Sequence, residues 1–173
     1  MFKDATTYSD EELLRMCQDF FGSVYWAWYE ASLDTVGESA TLDILKKLSE
    51  RFAALEVTAM KALWGREFEN LQQVTRALDV VHRAVAYEGP GRGSTPTWEM
   101  SGDDSAREKI HHCPIYATTP DRFKDKGTTP LCDVYCHNIG KKFYETLGFR
   151  IKQDQWLAKG HAHCGYQIGR ANP

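Results

Sequence analysis

Apolar positions recur at three- and four-residue steps through the first half of the chain. Leu13, Leu14, Cys17, Phe20, Phe21, Val24 and Trp28 form one stripe. Leu42, Leu45, Leu48, Phe52, Leu55, Ala59 and Leu63 form a second, and Phe68, Leu71, Val74, Leu78, Val81 and Val85 a third. The stops are also written in the chain. Ser9 and Glu12 make a capping box, Val36-Gly37-Glu38 is a turn, and Gly65 closes the second run. Three helices with short turns predict an antiparallel unit whose stripes face inward, with no unusual apolar surface left outside.

The texture changes after Gly89-Pro90-Gly91-Arg92-Gly93-Ser94, which marks a boundary between a helical subdomain (1–88) and a second subdomain (95–173). Thr95 to Met100 and Arg107 to Cys113 flank Gly102-Asp103-Asp104 and predict a hairpin. A polar loop spans Thr118 to Thr129. Pro130 then opens a helix from about Leu131 to Leu147, ended by Gly148. Phe149 to Trp156 and His161 to Ile168, around Ala158-Lys159-Gly160, predict a second hairpin. The expected fold is α+β: a three-helix unit packed on a four-stranded antiparallel sheet, ordered hairpin, helix, hairpin.

Composition narrows the function classes. With 173 residues, 42% hydrophobic and 26% charged, the chain has enough material for a buried core. A net charge of -3 gives no reason to expect nucleic acid as a partner. No stretch approaches the ~18–20 apolar residues of a membrane span, so no membrane partner is expected. The first residues lack the apolar core of a secretion signal, and five cysteines without a signal point to a reducing cytoplasm.

Four of those cysteines, Cys113, Cys132, Cys136 and Cys164, lie in the second half together with five of the six histidines. Cys17 sits on the first apolar stripe and is expected in the core. Cys132 and Cys136 are one helical turn apart at a helix start, where backbone N–H groups favour thiolate. Cys113 is expected at the end of one strand and Cys164 near the start of another. If both strands neighbour the helix N-terminus, four thiolates converge on a metal. Zinc at ~2.3 Å from each sulfur needs sulfurs about 3.8 Å apart, whereas a cubane cluster tolerates wider separations. The expected cofactor is a 4Fe-4S cluster, with Zn2+ as the alternative; buried structural thiols remain the plain reading.

Strand alternation would place His111 on one face with Cys113, and His161 and His163 together opposite Cys164. His137 and Asp133 are the candidate acid–base residues beside the site, although a helix-start aspartate also serves as a cap. Trp26, Trp28, Trp64 and Trp98 suit a pocket wall or the core.

The Cys113-Pro114 strand end, the Cys132-x3-Cys136 helix opening and Gly160-x3-Cys164 resemble the L-2-amino-thiazoline-4-carboxylic acid hydrolase-like family. A more distant likeness is to vinyl-reductase-type small-molecule-binding domains. The resemblance implies hydrolysis of a small cyclic amidine, although no G-x-S-x-G or H-E-x-x-H motif is present. Three functions stay open: an enzyme acting on a small-molecule substrate, a cluster serving a redox partner or as a sensor, and a structural zinc module.

Overall fold

The computed structural model describes residues 9–84, 96–124 and 131–171, apart from the side chains at 10–11, 14–15, 17–18, 21, 79–84, 114, 124 and 135–136. The expected boundary at 89–94, the Pro130 helix start and the side chains of Cys17 and Cys136 therefore lie outside the described residues.

Helix α1 (Asp10–Val36) starts at the predicted capping box: the Glu12 N–H donates to Ser9 Oγ at 3.2 Å and the Ser9 N–H donates to Glu12 Oε2 at 2.8 Å. One residue, Gly37, separates it from α2 (Glu38–Trp64). Gly37 has φ +78°, a conformation that lets two 27-residue helices meet with no loop. Helix α2 ends at left-handed Gly65, and α3 runs Leu71–Ala84. Strands β1 (Pro96–Gly102) and β2 (Ser105–Ile110) form the first hairpin. Two short helices follow, α4 (Pro114–Ala117) and α5 (Asp121–Lys124), where the sequence predicts strand end and loop. A π-helical segment (Leu131–Cys136) leads into α6 (His137–Thr146). Strands β3 (Phe149–Gln155) and β4 (Cys164–Arg170) complete an antiparallel sheet of order β1-β2-β4-β3. The fold is α+β, as the pattern predicts.

Packing departs from the prediction in one respect that matters. Helix α1 packs mainly on α4, and α2 mainly on α6 and the π segment, so the first helices are partnered by the second half of the chain. The buried face of α2 is Thr41, Leu45, Ser49, Ala53, Val57 and Met60. Leu48, Phe52, Leu55 and Leu63 of the predicted inward stripe point to solvent, as do Leu13, Phe20 and Val24 on α1. Small residues line the contact because α2 lies close to α6: the Asn138 side-chain amide donates to Ser49 Oγ at 2.6 Å. The expectation of no exposed apolar surface is overturned.

Two apolar clusters result. The larger joins α2, α3, α6 and the helix-facing side of the sheet, with Leu71, Val74, Phe143, Phe149 and Ile168 at its centre. The smaller joins α1, α4 and α5 through Trp26, Tyr29, Leu45, Ile115, Phe123 and Leu131. Ile139 borders both. The other side of the sheet is polar: Arg107 pairs with Asp154 at 3.0 Å, and Lys109 with Glu99. This face carries an open depression of about 720 Å3 lined by Arg107, Arg150, Lys152 and Gln167 among others. On the central strand a Cβ at Gly165 would crowd the ends of two side chains, at 2.9 Å from Asp154 Oδ1 and 3.0 Å from Gln155 Oε1.

Candidate functional site

Cys113 is not on a strand. Strand β2 stops at Ile110, and Cys113 instead precedes α4, its carbonyl accepting from the Ala117 N–H at 2.9 Å. The strand alternation expected for His111 and Cys113 therefore does not apply. Strand β4 starts at Cys164, later than expected, so His161 and His163 sit in the preceding turn and not on a strand face. Cys164 opposes Ile110 on the helix-facing side of the sheet.

Both cysteines nevertheless lie at the same end of the β2–β4 ladder, and Cys113 contributes to the electrostatics of Cys164. Burial pushes the Cys164 thiol up to about 11, a hydrogen bond from the Leu157 N–H at 3.4 Å opposes that rise, and Cys113 adds to it. Cys113, Cys132 and Cys164 are reduced thiols. Cys132 lies in the π segment, which packs against α2 and α4 and so stands on the Cys113 side of the molecule. Among the described residues no three His, Cys, Asp or Glu side chains gather as a metal ion requires. A cubane site needs four such ligands, and the described residues do not gather them.

The histidines separate. His111 and His163 approach with ring centroids 5.5 Å apart, and Thr97 Oγ1 lies 3.2 Å from His111 Nε2. Burial first, then the charges of His111, Lys109 and Arg107, hold the His163 imidazole below its ordinary value. His112 Nε2 stands 3.6 Å from Asp19 Oδ1 on α1. His137 is half-buried with Nδ1 unbonded among the described residues, and Asp133 is exposed.

One group escapes the sequence prediction. Glu108 is 7% exposed at the centre of β2 and faces the helices between cross-strand neighbours Trp98 and Tyr166. The Tyr144 hydroxyl of α6 donates to Glu108 Oε2 at 3.4 Å. Burial, then the Glu108 charge, raises Tyr144 well above its usual range; the Trp98 indole opposes this and Glu56 of α2 adds to it. A carboxylate, a phenol and the cross-strand rings of Trp98 and Tyr166 therefore meet in the helix–sheet layer. The signal for Glu108 was present: in Ala106-Arg107-Glu108-Lys109-Ile110, period-2 alternation puts the glutamate on the apolar side.

No protein-family model and no curated protein matches the chain. Among solved structures it is similar to a trafficking protein particle complex subunit 3 from Naegleria fowleri, covalently bound to palmitic acid. That match has 11% identity over 91% of this chain and 97% of the other, with a TM-score of 0.56. It is also similar to the phenol-responsive sensory domain of the transcription activator PoxR with phenol, at 10% identity over 88% of this chain and 74% of the other, with a TM-score of 0.51. Likeness at these identities establishes the fold alone.

Proposed function

We propose that this chain binds a compact, largely apolar small molecule carrying a hydrogen-bond donor, held in the helix–sheet layer with its donor on Glu108. The observation that carries this reading is the buried carboxylate itself. Burying a carboxylate is costly, and this one stands among the rings of Trp98, Tyr166 and Tyr144. A hydroxyl, amine or amidine would donate to it, and the surrounding aromatic faces would supply apolar contact. Both solved structures of similar fold hold small, mainly apolar molecules. The cyclic amidine implied by the resemblance belongs to the same chemical class.

The test is calorimetry with phenol, benzylamine, 2-aminothiazoline and palmitate as probes. At least one donor-bearing ring is expected to bind. Glu108→Gln should weaken an amine or amidine probe by about 10–100-fold, the loss of a charge-assisted hydrogen bond. It should weaken phenol less, because the amide oxygen still accepts. Binding of no probe, or equal binding by wild type and Glu108→Gln, would refute the reading.

Metal binding is the second reading, favoured by the placement of Cys113 and Cys164 at the same end of the β2–β4 ladder. Cys132 and Cys136 would complete the set from the π segment, a backbone form often found at functional sites. A bound metal would hold these thiols as thiolates and tie α4 to β4. Iron, sulfide and zinc analysis on protein purified without oxygen tests it. Metal present in wild type and absent from Cys113→Ser and Cys164→Ser is the expected outcome; metal retained in both variants sinks it.

A further inference from the structure

We infer that the chain forms a two-fold dimer by laying the outward apolar faces of α1 and α2 against those of a second copy. On α1, Leu13, Met16, Phe20 and Val24 project away from the buried Trp26 and Tyr29; on α2, Ile44, Leu48, Phe52, Leu55 and Leu63 project away from Ala53 and Val57. At 100° per residue each set forms one continuous stripe of its helix. Exposure is high, at 65% for Phe20, 68% for Leu55 and 67% for Leu63. Isolated exposed leucines need no explanation, but two stripes of large residues on consecutive helices do.

The area of this face points to a second copy as the occupant. Nine large side chains at about half exposure, each of order 150–200 Å2, present roughly 700–900 Å2 of apolar surface. A stable interface takes about 800 Å2 from each partner. A two-fold axis that sets the α1 stripe of one copy on the α2 stripe of the other matches apolar to apolar, twice over. The same chain thus carries both halves of a self-complementary surface.

Sedimentation velocity of the full chain from ~1 to ~100 μM tests this directly. Wild type should run as a dimer, and the variant Phe20→Lys with Leu55→Lys as a monomer with unchanged far-ultraviolet circular dichroism. If the lysine pair disturbs folding, Leu63→Lys alone carries the same expectation. A monomeric wild type overturns the inference, as does a dimer that persists in the folded lysine variants. Flotation of monomeric wild type with phosphatidylcholine vesicles would assign the face to a lipid surface instead.

Discussion

Trp26→Ala is expected to cost about 3–5 kcal/mol, lowering the melting temperature by roughly 10–15 °C. Trp26 is 2% exposed, its ring stacks on Phe123 with centroids 5.0 Å apart, and it meets Tyr29 edge-on at 5.7 Å. Its indole N–H donates to the Ile115 carbonyl at 2.9 Å, inside the apolar cluster. That carbonyl also accepts from Thr119 Oγ1 at 3.0 Å, so the indole is one of two donors fixing the α4–α5 segment. Loss of the ring removes the contact that docks this segment on α1, and Cys113 stands at its entry. Trp26→Phe keeps most of the stack and forfeits the hydrogen bond, for about 1 kcal/mol. Urea titration of both variants checks the pair. A cost below ~1 kcal/mol for alanine would show that α4 and α5 are held by something else.

Cys164 in the native protein should react with iodoacetamide about 100-fold more slowly at pH 8 than in the urea-unfolded chain. The thiol rises from 9.0 to about 11 through burial, and reactivity follows the thiolate fraction, which falls tenfold per unit. The sign for stability follows from the same shift. The folded state keeps a proton that the unfolded chain releases above pH 9. Stability is therefore unaffected below pH 9 and falls as pH rises towards 11, by up to about 2–3 kcal/mol from this group. Mass-spectrometric alkylation rates from pH 7 to 11 measure the first effect, and urea midpoints the second. Native and unfolded rates that coincide at pH 8 would mean that Cys164 is not buried as a neutral thiol. A metal bridging Cys113 and Cys164 would reverse the sign, since coordination removes the proton and shields the sulfur. Alkylation before and after chelation therefore separates a thiol pair from a metal site.

Much of the backbone was legible because its signals are local. Ser9 and Glu12 cap α1 within one turn, and Gly37 and Gly65 punctuate the helices through their positive φ. The Gly102-Asp103-Asp104 turn and the Gly148 stop likewise act over a few residues, and both hairpins followed. The failures share a different character. Strand β2 ends three residues before Cys113, because pairing to β4 stops at the Ile110–Cys164 rung and nothing in His111-His112-Cys113 announces that limit. The π turn at Leu131–Cys136 looks like ordinary helix in sequence, since its apolar spacing differs too little from the α pattern over six residues.

The choice of buried face on α2 is the clearest case. Leu45 of the predicted stripe is buried, but beyond it two stripes were available, one of large residues (Leu48, Phe52, Leu55, Leu63) and one that is smaller except for Met60 (Thr41, Ser49, Ala53, Val57). Hydrophobicity alone selects the first, whereas close approach to α6 selects the second. Glu108 follows the same logic, since its alternation was visible but its partner Tyr144 arrives from a helix far along the chain. The sequence by itself determined the main helix stops, both hairpin turns and that the elements make an α+β fold, because capping, turn chemistry and periodicity act within a few residues. Only the tertiary structure decided which face of each helix is covered, where strands β2 and β4 are cut short, and that a carboxylate is buried at Glu108. Those outcomes depend on how closely segments far apart in the chain approach one another, and no local pattern encodes that distance.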